Sequence, residues 1–508
     1  MATEVELKLY CPPDELLRVA SHALISAAVE TGPAARLQNT YFDTSDLALY
    51  QARVALRVRT ASDGQWQTVK CASQSFAGLS ARPEWETPYT QQFDFSAVDM
   101  AAVRDLLQTH QADLVPVFTT TFDRRTWRVQ VADSVTILVM IDQGEILSGE
   151  QSWPISEVEL ELVQGKADDL LVFAIALAEG LPLIPLDISK AQRGYQLFLN
   201  QPPEPQKASP SLLNRQLSSS EAFDVLAGQC LHLWQANQVG ILTGHNAEFL
   251  HQFRVALRRL GSLLKLWEPV LSHAYIVRWS EQIKALLSMT DGIRDLEVMR
   301  TCILEPLTES GSPETVADVR LAQSVVGREM QEATPKLQGL RHGSPLLRFA
   351  QELRNLDRHG FPDSLPEFAE RQLSRLHHNT SSRLSTTLRE PTPENAHRLR
   401  IGLKHLRYAC EFLAPLFHRS AMQKYIGELA VLQDTMGFYH DFHVALTRLA
   451  AWEQQHVIPD SVRDVVLAWH GRHAQKALTK GLAQAEAVMA LHRPWRDGHG
   501  SGNQQVKS

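Results

Sequence analysis

Residues 4–9 read Glu4-Val5-Glu6-Leu7-Lys8-Leu9, a strict alternation of charged and apolar side chains. Strand side chains alternate between faces, so Glu4, Glu6 and Lys8 share one side while Val5, Leu7 and Leu9 share the other. Alone, the motif fits equally well a solvated face on an edge strand. It recurs, however, at Ile155-Ser156-Glu157-Val158-Glu159-Leu160-Glu161-Leu162, where three carboxylates fall on one face. Like charges side by side destabilise a sheet unless something cationic lies among them. Glutamates paired on two strands therefore invite a hard divalent ion, Mg²⁺ or Mn²⁺, which prefers oxygen ligands.

Basic residues follow the same parity. Arg57 and Arg59 sit two apart, Lys70 ends Gln67-Thr68-Val69-Lys70, and Lys190 opens Lys190-Ala191-Gln192-Arg193-Gly194-Tyr195. Arg124 shares a face with Arg128, whereas Arg125 shares the opposite one with Trp127 and Val129, so Arg124 is expected to point inward. An interior mixing carboxylates with guanidinium groups is costly as pure structure. It makes sense around a polyanion and a metal, with arginine forks and lysines on phosphate oxygens and glutamates on the ion.

Outward from these motifs, strand-like segments are predicted at 3–9, 36–43, 53–60, 65–71, 83–90, 115–131, 135–142 and 154–163, with helical patterns near 13–29, 97–109 and 167–179. Eight short strands suggest a sandwich or a closed barrel. Residues 201–216 carry Pro202, Pro203, Pro205 and Pro210 among polar residues and read as a linker. Beyond it the period changes to about 3.6, as amphipathic helices require. These run over 217–490, and 491–508 reads as a disordered tail. The helical half repeats itself. His251-x-x-Arg254-x-x-x-Arg258-Arg259 resembles His397-x-x-Arg400-x-x-x-Lys404-His405, and Arg294-Asp295 resembles His440-Asp441, always at an offset of 146. Two related helical bundles follow from that constant offset.

Composition narrows the class. The net charge of −7 divides into −11 through Asn200 (15 basic, 26 acidic residues) and +4 beyond it (35 basic, 31 acidic), so the halves have different tasks. Five widely spaced cysteines fit neither a disulfide framework nor a zinc knuckle, and suggest a reducing compartment. The charged N-terminus is unlike a signal peptide. No apolar run reaches the ~20 residues of a membrane span. A cytoplasmic protein without a membrane partner is expected.

The ordered set of motifs in residues 2–200 resembles the CYTH superfamily, the triphosphate tunnel metalloenzymes. The resemblance rests on Glu4-x-Glu6-x-Lys8, Tyr41-Phe42-Asp43-Thr44, Ala55-Leu56-Arg57-Val58-Arg59, Thr68-Val69-Lys70, Glu84-Trp85-Glu86, Asp142-Gln143-Gly144 and Glu159-Leu160-Glu161. The sequence departs where the family often has Gly near Ala52 to Val54, and Lys at Val163 or Gln164. The resemblance implies an α+β chain whose N-terminal domain is an eight-stranded antiparallel β-barrel, a tunnel with peripheral helices. It also implies metal-dependent triphosphate cleavage. Glu4, Glu6, Glu159 and Glu161 would hold Mg²⁺ or Mn²⁺, with Glu157 a further candidate. Lys8, Arg57, Arg59, Lys70, Arg124 and Lys190 would clamp phosphates. Asp142, Glu84 and Glu86 would touch metal or orient basic residues.

Residues 217–490 resemble the CHAD domain, a helical domain often fused behind CYTH and associated with polyphosphate. On a helix His251, Arg254 and Arg258 form one stripe, repeated by His397, Arg400, Lys404 and Arg407. The resemblance implies long-chain polyphosphate binding there, although His405 stands where the first repeat has Arg259, and His440 where it has Arg294. Arginine offers no ligand capacity to a metal, which weighs against chelation by these stripes. A half of only +4 without an aromatic platform is not expected to bind nucleic acid. The expected function is hydrolysis of inorganic tripolyphosphate to phosphate and diphosphate. Alternatives are a thiamine- or nucleoside-triphosphatase or adenylate cyclase in the same tunnel, or a non-catalytic polyphosphate-binding protein.

Overall fold

The alternating stretch at the N-terminus forms strand β1 (Ala2–Tyr10), whose two neighbours close a ring. In the computed structural model, which describes residues 2–62, 64–72, 75–243, 247–310 and 312–496, seven further strands complete it. They are β2 (Ala35–Asp43), β3 (Val54–Ala61), β4 (Gly64–Cys71), β5 (Leu79–Pro88), β6 (Val115–Ala132), β7 (Val135–Ser148) and β8 (Gln151–Gln164). Hydrogen-bonded neighbours run β1-β8-β7-β6-β2-β3-β4-β5 and back to β1, all antiparallel. The barrel is therefore closed, and the sandwich alternative falls. Closure removes the open edges that would otherwise template aggregation. Strand β5 begins at Leu79, four residues before the expected start at 83.

The apolar faces of these strands look outward. Leu7, Leu9, Val139, Ile141, Val158 and Leu160 pack beneath a helix at Ala167–Ala178, joined by Leu170, Leu171, Phe173 and Leu177. Leu56, Val69 and Trp85 pack against Val103 and Leu107 of a helix at Ala101–His110. The helical pattern expected near 13–29 is divided between two short helices, Leu16–Ala20 and Ala23–Ser26.

Helices of nine or more residues are α1 (Ala101–His110), α2 (Ala167–Ala178), α3 (Lys190–Phe198), α4 (Ser219–Thr243), α5 (Ala247–Trp267), α6 (His273–Val298), α7 (Pro313–Ala333), α8 (Ser344–Arg354), α9 (Leu365–Arg389), α10 (Pro393–Leu413), α11 (Arg419–Gln454) and α12 (Ser461–Ala490). The ends of α5 and α10 (Trp267 and Leu413) and the starts of α6 and α11 (His273 and Arg419) are each 146 positions apart. No helix among the described residues is long and apolar enough to cross a membrane.

Contacts divide the chain into two compact units. One holds Met1–Lys207, Leu231–Phe253 and Leu340–Leu356, and the other holds Ala208–Cys230, Arg254–Gly339 and Asp357–Ser508. The first thus takes two segments of the helical half, and Leu347 of α8 belongs to the core outside the barrel. The expected tail needs correction. Trp495 is fully buried, its indole donating to Ser374 Oγ at 3.2 Å and its ring meeting Tyr425 and His377 edge-on. A buried indole with its N–H satisfied anchors the segment. Residues 497–508 lie outside the described residues.

Candidate functional site

Because the outer faces are apolar, the charged faces meet inside the ring, around a cavity of about 1060 Å³. Glu4, Glu6, Lys8, Arg57, Arg59, Lys70, Glu84, Glu86, Arg124, Glu159, Glu161 and Lys190 all line it. Register places opposite charges face to face: Lys8 opposite Glu159, Lys70 opposite Glu84 and Glu4 opposite Arg82. Arg53 and Arg82 also line the cavity and were missed by the sequence reading; of the two, Arg82 is the one with ion pairs among the described residues. It pairs with Glu4 at 3.2 Å and with Glu6.

Lys190 is brought in by α3. Ser189 caps that helix, accepting from the Gln192 amide at 3.2 Å while the Gln192 side chain accepts from the Ser189 amide at 2.9 Å. Gly194 lets α3 press on the barrel, since a Cβ there would lie 2.0 Å from the Phe118 ring. The Lys190 ammonium then reaches Asp142 at 2.6 Å, Glu159 at 3.0 Å and also Glu157. Asp142, Glu157 and Glu159 converge closely enough to hold a metal ion. The cation among them is Lys190, and Arg193 takes the second oxygen of Glu157. Asp142 also receives Arg124 at 2.6 Å, so it orients basic residues rather than lining the cavity.

Ion pairs occupy nearly every tunnel charge. Lys70 bonds Glu4 at 2.9 Å and Glu84 at 2.7 Å, Arg59 bonds Glu86 at 2.6 Å, and Arg124 also bonds Glu159 at 2.5 Å. Besides Arg53, two lining groups of opposite sign stand apart. Arg57 forms no ion pair, and its Nε is buried without a partner. Glu161 has neither an ion pair nor a hydrogen bond among the described residues. Burial, reinforced by the neighbouring Glu4, raises its carboxyl above the usual range. Burial would raise Glu4 as well, yet Lys70 and Arg82 hold it well below that range. On Glu161, Glu84 acts in the same sense as burial, while Lys70 and Arg124 act against the shift.

The second unit carries a different cluster. Arg254 is committed to its own fold, bonding Asp291 at 2.7 Å and the Leu287 carbonyl at 3.2 Å. Arg407 leans on Glu411 at 3.4 Å and on the Tyr408 ring. Arg258, Arg400 and Lys404 form no ion pair among the described residues, and the Arg400 Nε is buried without a partner. Burial and then Arg254 push the Arg258 guanidinium down to about 10. Burial, Arg400 and Arg258 push the Lys404 ammonium down to about 7. Arg258 and Lys404 are thus lowered by burial and by neighbouring cations, and Arg400 by burial. His397 meets His440 at 3.3 Å between Nδ1 atoms, and burial followed by Arg400 lowers His440 to about 3. His251 lies on α5 in the same stripe as Arg254 and Arg258, but its segment groups with the first unit.

Residues 2–195 match the model of the CYTH domain, and residues 226–450 match that of the CHAD domain. The chain joins a CYTH domain to a CHAD domain. Over 197 residues it is 32% identical to an inorganic triphosphatase of Haemophilus influenzae, covering 39% of this chain. The chain spans 55% of the length of that relative. Among solved structures, the CHAD domain from the plant Ricinus communis is 24% identical, covering 57% of this chain and 98% of its own (TM-score 0.44). HpAC1 from Hippeastrum, which has a dominant triphosphatase activity, is 17% identical, covering 38% of this chain and 95% of its own (TM-score 0.29). The CYTH family is metal-dependent, and the acidic cluster Asp142, Glu157 and Glu159 is close enough to hold an ion.

Proposed function

We propose that the CYTH tunnel hydrolyses inorganic tripolyphosphate to phosphate and diphosphate, and that the CHAD domain binds long-chain polyphosphate. The observation that carries the first part is the ring of cations, Lys8, Arg57, Arg59, Lys70, Arg82, Arg124 and Lys190, set from around the barrel into one cavity. Such a ring suits a flexible anion with charge along its whole length. Arg57 is the proposed first phosphate contact, since it forms no ion pair and need displace no carboxylate, only Tyr41. Each further phosphate oxygen exchanges with a glutamate on Arg59, Lys70, Arg82 or Arg124. The glutamates so released, with Glu161, are the proposed holders of Mg²⁺ or Mn²⁺, which supplies charge neutralisation and water activation when bound. In the reaction water oxygen bonds to the terminal phosphorus, the P–O anhydride bond breaks, and diphosphate leaves. Guanidinium groups already oriented by carboxylates stabilise the charge spreading over phosphate oxygens.

The test is phosphate release from tripolyphosphate, ATP and thiamine triphosphate by the whole chain and by Glu6→Ala, with Mg²⁺, Mn²⁺ or EDTA. EDTA-sensitive cleavage of tripolyphosphate, lost in Glu6→Ala, supports the reading. Turnover of an organic triphosphate instead, or of none, overturns it.

For the CHAD domain the supporting observation is the unpaired set Arg258, Arg400 and Lys404. A polyphosphate bound there would restore charge to Lys404, so binding takes up a proton once pH exceeds about 7. Affinity is expected to fall as pH rises from 7 to 9, by up to about tenfold per unit. Lys404→Gln should flatten that slope, and calorimetry of polyphosphate binding at several pH values checks it. An unchanged slope in Lys404→Gln would remove Lys404 from the site.

A further inference from the structure

The segment 181–189 runs between the tunnel and a short stretch of the CHAD sequence, all within the first compact unit. On its tunnel side, the Leu186 amide donates to the Lys8 carbonyl at 2.9 Å, and Ile184 and Pro185 pair with Tyr10 and Leu9. Asp187 Oδ1 accepts from the Gly78 amide at 2.9 Å and from Ser75 Oγ at 2.5 Å, while Gly78 in turn accepts from the Lys8 amide at 3.0 Å. Two residues later Ser189 caps α3, whose first residue is Lys190. The segment thus fixes the backbone of Lys8 from both sides and the start of the helix that delivers Lys190.

Its other side is gripped by residues matched to the CHAD domain. The Gly343 amide donates to the Leu183 carbonyl at 2.8 Å, and His342 Nδ1 donates to the Leu181 carbonyl at 3.1 Å. His232 Nδ1 lies 3.4 Å from Asp187 Oδ2. Gly343 fits so closely that a Cβ would stand 2.4 Å from the Leu183 carbonyl oxygen, 2.5 Å from Pro185 Cδ and 2.8 Å from the Ile184 Cα. Two of these are backbone atoms that a rotamer change cannot move aside. Any side chain at 343 must displace the strap itself.

We propose that Gly343 and Asp187 are positioning residues for the tunnel, through which the CHAD sequence holds Lys8 and Lys190 in register to bind triphosphate. The inference rests on the tunnel being the triphosphate site, and concerns what sets its affinity. It is tested with the whole chain by calorimetry of tripolyphosphate binding in EDTA, where no turnover is needed, alongside thermal melting. Gly343→Val is expected to weaken binding at least about fivefold at a temperature where the variant is fully folded. Asp187→Asn, which keeps the shape but weakens the acceptor for Gly78 and Ser75, should do the same. A merely structural role would lower the melting point and leave the affinity of the folded protein alone. That result in both variants overturns the proposal, and if Gly343→Val does not fold, Asp187→Asn decides. Failure of the unaltered chain both to bind tripolyphosphate and to cleave it with Mg²⁺ or Mn²⁺ would instead overturn the triphosphatase reading.

Discussion

Glu161→Gln protein should melt within a few degrees of the unaltered chain and yet turn over tripolyphosphate at least about a hundredfold more slowly. Glu161 lines the tunnel without a cationic partner, so neutralising it leaves no buried cation orphaned. Its carboxyl is already raised by burial and by Glu4, so the folded state gives up little when the charge disappears. A metal-binding oxygen, by contrast, is lost outright. Glu159→Gln makes the useful contrast. Glu159 pairs with Arg124 and Lys190, and breaking a buried pair by removing one partner costs about 3–5 kcal/mol. That variant should lose activity and stability together. Steady-state kinetics beside thermal melts separates the two cases, and wild-type turnover in Glu161→Gln would deny this carboxylate a place on the ion.

The second large effect lies in the CHAD domain. The double substitution Arg258→Gln with Arg400→Gln is expected to cut polyphosphate affinity by about 10²–10⁴, from two charge-assisted contacts of about 1.5–3 kcal/mol each. The plot of log affinity against log salt should become shallower by about two, one for each phosphate contact removed. Stability should change little, because burial disfavours both guanidiniums and neither forms an ion pair among the described residues. Tripolyphosphate turnover in the tunnel serves as the internal control. Unchanged affinity and salt slope would show that the basic stripe is a solvated face.

How much of this could be read from the chain alone depended on whether parity or closure decided it. Parity within a strand placed Glu4, Glu6, Lys8, Arg57, Arg59, Lys70, Arg124, Glu159 and Glu161 on inner faces, and all of them line the cavity. Arg82 escaped because β5 continues through Pro83, which pairs with Thr3, whereas proline ordinarily marks a strand's start or edge. Pairings were not legible, since Arg82 meets Glu4 and Glu6 only when β5 returns to β1 across the ring. The same holds for Asp142, whose parity was visible but whose partner Lys190 arrives on a separate helix. In the helical half the fixed offset of 146 pointed to a repeat, yet not to which cations are free. Arg254 and Arg258 share a stripe, but Asp291 on α6 neutralises the first and leaves the second bare. Trp495 sits in a polar, glycine-bearing end of the chain, where composition pointed to disorder and one large side chain decided otherwise.

Strand β1 keeps its apolar packing on the outside and its ionic chemistry within, Leu7 and Leu9 against α2 and Glu6 and Lys8 in the cavity. Folding and reactivity therefore answer to alternate letters of the same words. Changes at odd positions of β1 register first as loss of the scaffold, and changes at even positions first as loss of a charge facing the cavity. Such a scaffold can drift in what it processes while its architecture stays put. A library varied at an inward position that holds no ion pair, such as Glu161, should yield mostly folded proteins, whereas one varied at a paired position such as Glu159 should not.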